Sequence, residues 1–113
     1  MAPNYLNAVI YKLICKTITV LEIYIGSTAN EKERNRTHKT SCNNQSEKNK
    51  AYNYKVYKFI RENGGWDNWK IEIIEKCPCE NKIQMREREQ YYCDLLKPEL
   101  NMIPALTSTL QFE

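Results

Sequence analysis

The residue most in need of a chemical explanation is Glu89. It falls between Met85, Tyr92 and Leu96 in the run 80–96, ENKIQMREREQYYCDLL, at spacings of four, three and four. That spacing places it on the apolar face of a helix. An ionised carboxylate on a buried face is costly unless a cation or a donor meets it. Two readings stay open: a salt bridge to a core arginine, or a metal ligand. Arg86, Glu87 and Arg88 fall off the stripe and read as surface charges.

A second set of chemistry-bearing side chains lies near the other end of the chain. Tyr11 and Tyr24 sit in two β-rich runs, and Arg34 and His38 follow four residues apart. That spacing puts Arg34 and His38 on one helix face. His38 is the only histidine of the chain. Residues 31–50 hold Lys32, Arg34, Arg36, Lys39, Lys48 and Lys50 against Glu31, Glu33 and Glu47, a surplus equal to the whole net charge of +3. A local basic patch attracts polyanions more than an even scatter does, although a solvated helix face reads the same way.

The elements that must position these residues follow from periodicity. Residues 8–16, AVIYKLICK, and 19–25, TVLEIYI, alternate around β-formers and read as paired strands. The link 16–19, KTIT, has no Gly, Asn or Pro, which argues against a tight two-residue turn. A loop centred between Thr17 and Ile18 sets Tyr11 opposite Tyr24, with both hydroxyls on one sheet face. A plain aromatic cross-strand pair explains that much equally well. Gly26-Ser27-Thr28 then ends the strand, with Thr28 as cap of a short polar helix over 29–40.

Residues 41–49 are Ser/Asn-rich and read as a loop. A second helix over 50–63 has Tyr52, Val56, Phe59 and Ile60 as its stripe and stops at Gly64-Gly65. Trp66 to Lys76 gives a third strand, with Trp69, Ile71 and Ile73 on one face. The helix over 80–96 ends before Pro98. Residues 97–105 pack back as an irregular segment, and 106–113 form a frayed polar tail. The fold class is α/β of the α+β type. It is a three-stranded antiparallel sheet flanked by helices, in the order strand, strand, helix, helix, strand, helix. At 113 residues it forms one domain with its core over about 7–104.

No apolar run is long enough to span a bilayer, and the start MAPNYLN lacks the pattern of a signal peptide. An odd set of five cysteines without a secretion signal implies reduced thiols and an intracellular location, cytoplasm or nucleus. Cys77-Pro78-Cys79 is spaced too tightly for a zinc site, and no second Cys/His pair accompanies it.

These residues, in this order, resemble the catalytic domain of the GIY-YIG nuclease superfamily. Val9-Ile10-Tyr11 stands where the family has Gly-Ile-Tyr. Tyr24-Ile25-Gly26 is the second signature unchanged, followed by Arg34 and His38. Glu89-Gln90-Tyr91-Tyr92 is similar to the helix with the metal-binding Glu, and Pro98-Glu99-Leu100-Asn101 to the closing segment with its Asn. Val9 departs from the family's first Gly. It is a good strand residue at the start of a strand, where tolerance is expected.

The resemblance implies a metal-dependent DNA endonuclease, a phosphodiester hydrolase. Tyr11 would orient or deprotonate the water, with Tyr24 supporting its hydroxyl. Arg34 would hold the non-bridging oxygens through its planar fork. His38 would add a hydrogen bond near the water or phosphate. Glu89 would bind one divalent metal, Mg2+ or alternatively Mn2+. Lys39, Lys48, Lys50 and Asn101 make up the substrate-binding set, with Asn101 a brace rather than a chemical participant. The competing reading is a nucleic-acid-binding module of the same fold without catalysis. With only the 41–50 loop and the 51–61 helix left to contact DNA, sequence specificity is expected to be low, or supplied by a homodimer or a partner protein. High Asn, Lys and Ile content fits an A/T-rich coding genome, as in mobile elements and viruses.

Overall fold

A computed structural model describes residues 4–101 of the chain. Three strands and three α-helices make up the body: β1 (Val9–Cys15), β2 (Tyr24–Thr28), α1 (Glu31–Asn43), α2 (Lys55–Glu62), β3 (Trp69–Lys76) and α3 (Lys82–Leu96). Short 3-10 turns precede β1, α2 and β3. The strands form one antiparallel sheet in the order β2-β1-β3, so the Tyr11 strand is central. Class and element order agree with the sequence expectation. The frayed tail over 106–113 lies outside the described residues, as do residues 102–105 of the irregular segment.

The β1–β2 register differs from the expected one. Tyr11 lies opposite Gly26, and Tyr24 opposite Leu13. The reason is the link. Residues 16–23 all leave the ladder, so β2 begins at Tyr24 rather than at Thr19. The slip is two residues, and side chains alternate with period two, so both tyrosines keep one face. Their ring centroids are 6.5 Å apart.

Alternation sorts the sheet into two faces. Tyr11, Leu13 and Cys15 join Cys42 of α1, Val56, Tyr57 and Ile60 of α2, and Trp66, Trp69 and Leu100 in the main core. On the opposite side α3 packs against β2 and β1. Met85 of α3 is buried there with Ala8 and Cys79. Each fully buried aliphatic side chain, such as Leu13 or Ile60, contributes about 1.5–3 kcal/mol of transfer free energy.

Helix ends are set by local chemistry. Asn30, not Thr28, caps α1: its side-chain oxygen accepts from the Glu33 N–H at 3.1 Å. Thr28 stays in the strand, and its hydroxyl meets the Asn30 backbone. Both residue types suit a cap, and strand pairing to Val9 decides which one serves. Asn81 caps α3 through the Gln84 N–H at 2.9 Å. After α2, Gly64 and Gly65 take φ of 96° and 80°, the left-handed turn expected of them. Lys97 takes φ 48° just before Pro98 and closes α3.

Arg88 corrects the reading of the α3 surface. It grips the Glu75 carboxylate with two nitrogens, at 2.8 and 2.6 Å. Tyr92 donates to the same carboxylate. This clamp ties α3 to β3 one residue away from Glu89. It holds the Glu75 carboxyl down at about 2, the Arg88 hydrogen bonds being the main cause.

Candidate active site

All three α-helices, the strands β1 and β2 and the closing segment line one cleft of about 470 Å³, α2 through Val56 and Tyr57. β1 brings Tyr11, and β2 brings Tyr24, Gly26 and Ser27. α1 brings Arg34 and His38, and α3 brings Glu89. Asn101 closes the rim. All five residues expected to carry chemistry therefore line one space. Lys39, Lys48 and Lys50 are exposed and do not line it. Lys82 and Arg86, on the first turns of α3, do.

Gly26 makes room for Tyr11. A Cβ at residue 26 would stand 2.5 Å from the Tyr11 hydroxyl oxygen and 2.6 Å from Cζ. The glycine sits within β2 rather than ending it, and close approach, not an unusual backbone angle, is what requires it.

His38 lines the cleft beside Tyr11 and is hydrogen-bonded to its hydroxyl. It is 2% exposed, and both ring nitrogens are engaged. Nε2 lies 2.6 Å from the Tyr11 oxygen and Nδ1 2.7 Å from that of Tyr57. Trp66 stacks on the ring at 6.0 Å. Burial pushes the His38 pKa down to about 3, and the Arg34 charge adds to the effect, so the imidazole is neutral. The Tyr57 partner was missed in the sequence. It lies beside Val56 in an apolar stripe, and nothing local marks it.

Burial also raises the phenol pKa values. Tyr11 is pushed well up by desolvation, with Tyr24 and Glu89 adding to it and Arg34 opposing. Tyr24 is raised likewise, by burial first and the Glu89 charge second. Arg34 is thus the cation within the cleft that favours a phenolate.

Glu89 reaches the cleft from the α3 side. Ser27 leaves β2 on the face opposite Gly26, and its hydroxyl donates to the Glu89 carboxylate. The carboxylate takes its hydrogen bond from that hydroxyl, and the positive charges of Arg86 and Arg34 act on it as well. Desolvation raises the Glu89 pKa, against the Ser27 hydrogen bond and the charges of Arg86 and Arg34. A partly buried carboxylate whose charged form burial disfavours fits a hard cation, which favours that charge again. Among the described residues no group of three or more His, Cys, Asp and Glu side chains gathers for a metal. One carboxylate, completed by water and phosphate oxygens, is the donor set that Mg2+ accepts.

Asn101 acts on the backbone. Its side-chain oxygen accepts from the Ile25 N–H at 2.9 Å, and its amide donates to the Ile25 carbonyl at 2.8 Å. The carboxamide thereby pairs with the free edge of β2 as a strand would. Leu100 N–H to Ile23 O, at 3.1 Å, and the Glu99 carboxylate on the Ile23 N–H continue the contact.

The family model for the GIY-YIG catalytic domain matches residues 7–101. The chain belongs to the GIY-YIG family. Comparison with curated proteins and with solved structures returns no match. The GIY-YIG domain is a nuclease domain, so nucleic acid is its substrate class. Val9 at the first motif position pairs with Thr28 and Lys76 as an ordinary strand residue. Among the described residues no helix is long and apolar enough to cross a membrane.

Proposed function

We propose that this GIY-YIG domain is a metal-dependent DNA endonuclease, located inside the cell, that hydrolyses phosphodiester bonds. The observation that carries the reading is the convergence of Tyr11, Tyr24, Arg34, His38 and Glu89 on one cleft. Phosphodiester hydrolysis needs an activated water, charge stabilisation at the phosphoryl oxygens and help for the leaving oxygen. The cleft offers a group for each.

Tyr11 orients the attacking water or, as its phenolate, takes that water's proton. Arg34 binds the non-bridging oxygens and favours the Tyr11 phenolate by its charge. Tyr24 packs beside Tyr11, with ring centroids 6.5 Å apart, and supports its placement. His38, neutral and buried, holds the Tyr11 oxygen. Glu89 would hold the divalent cation, Mg2+ before Mn2+, with Ser27 fixing the carboxylate. When bound, that cation supplies positive charge at the phosphate and the leaving oxygen. Asn101 braces β2, while Lys39, Lys48 and Lys50 contribute to DNA affinity from outside the cleft. The small frame favours low sequence specificity, or specificity supplied by a homodimer or a partner protein.

Nicking of supercoiled plasmid tests the reading. Wild type is expected to cut with Mg2+, and Tyr11→Phe and Glu89→Ala to lose at least about 100-fold in rate. DNA retention without cutting in any divalent metal would instead support a binding module. A panel of plasmid, branched and single-stranded DNA locates the substrate class.

A further inference from the structure

The pair of hydrogen bonds on His38 extends beyond the histidine. Tyr57 of α2 sits on Nδ1 at 2.7 Å, with the Ser41 hydroxyl of α1 close to Tyr57 in turn. The line Tyr57–His38–Tyr11 crosses from α2 to α1 and into the central strand. Tyr57, His38 and Tyr11 are all buried. In such a line each proton position fixes the next, because a neutral imidazole donates through one nitrogen and accepts through the other.

Two directions are available. In one, Tyr11 donates to Nε2, and Nδ1–H donates to Tyr57. In the other, Tyr57 donates to Nδ1, and Nε2–H to the Tyr11 oxygen. The first leaves Tyr11 unable to release its proton without making a buried imidazolium beside Arg34, flanked by Trp66 and two tyrosines. The second frees the Tyr11 proton toward the cleft and meets the remaining oxygen with a donor. A phenolate only accepts, so only the second direction is compatible with one.

We infer that Tyr57 is a positioning residue that locks His38 in the Nε2–H form, so that a neutral donor chain running from Tyr57 ends on the Tyr11 oxygen. This rests on Tyr11 acting as the base. The proton order itself can be read without any cleavage.

His38 is the only histidine, so 15N-histidine labelling gives a single ring to observe. Wild type is expected to show Nε2 as the protonated, pyrrole-type nitrogen and Nδ1 as the bare, pyridine-type one. Tyr57→Phe removes the donor to Nδ1. It is expected to mix the two forms and to lower kcat about tenfold, with KM for plasmid unchanged. A wild-type spectrum with the proton on Nδ1 overturns the inference, whatever the activity of the protein. So does a Tyr57→Phe spectrum and kcat equal to wild type. If Tyr57→Phe does not fold, the wild-type spectrum decides alone. An Nε2–H wild type together with a fully active Tyr11→Phe would instead sink the base role of Tyr11 and leave the proton order standing.

Discussion

Gly26 and Tyr11 face one another across the β1–β2 ladder, and the tyrosine hydroxyl fills the volume that any side chain at residue 26 would need. The second family signature therefore serves the first: its glycine is the seat of the tyrosine. Gly26→Ala is expected to push the ring off His38. Overpacking of this kind costs about 1–3 kcal/mol. Displacing a reacting group by about 1 Å can cost about 100-fold in rate. Urea unfolding and plasmid nicking would show a folded, weakened protein with a larger loss in cleavage than in stability.

Glu89 gives a test of the metal that does not depend on cutting. Its folded pKa is raised, mainly by burial. The stability linked to it is therefore greatest below the ordinary carboxyl range and is lost as pH rises through that range toward the folded pKa. At neutral pH without divalent metal, Glu89→Gln should be at least as stable as wild type. Adding Mg2+ at ten times its dissociation constant should stabilise wild type by about 1.4 kcal/mol and leave Glu89→Gln unmoved. Thermal unfolding with and without Mg2+ reads both. Equal stabilisation of the two proteins would place the ion elsewhere.

His38 has the opposite dependence on pH. Its pKa falls from 6.5 to about 3 on folding, so the unfolded chain binds the proton more readily. Stability linked to it is complete above about 6.5 and is lost as pH falls from there toward about 3. The slope for one proton is at most about 1.4 kcal/mol per pH unit. Between pH 6.5 and 5, wild type should lose stability relative to His38→Gln. Chemical denaturation at several pH values measures the difference, and parallel curves would contradict it.

Asn101 is expected to matter to stability before it matters to chemistry. Asn101→Ala removes both hydrogen bonds to Ile25 and should cost about 2 kcal/mol. Asn101→Asp should cost nearly as much. A carboxylate still accepts from the Ile25 N–H but meets the Ile25 carbonyl without a donor. The urea midpoint separates this from a purely catalytic role, in which stability would not change.

Much of this site is legible in the chain because period and spacing are local. Period-two alternation puts Tyr11 and Tyr24 on one face, and a two-residue slip of register leaves that intact. The four-residue step joins Arg34 to His38, and the apolar stripe of α3 singles out Glu89. What local pattern lacks is the partner. Ser27 looks like a turn residue until Glu89 arrives from the far side of the sheet. Tyr57 lies 19 positions from His38 and reads as one more apolar residue of α2. Arg88 reads as surface charge because Glu75 is in another element. The extent of β2 differs for a related reason: residues 19–23 alternate well, yet among the described residues no strand pairs with them.

The carboxamide of Asn101 on the rim of β2 also bears on how copies of this protein meet. An open sheet invites a foreign strand wherever backbone groups stand unpaired. On the β2 side the positions at Ile23 and Ile25 are already taken by the closing segment of the same chain. The side left for strand addition is β3, where Lys70, Glu72, Glu75 and Lys76 crowd the strand with charge. Among the described residues the sheet thus offers neighbouring copies little to zip onto.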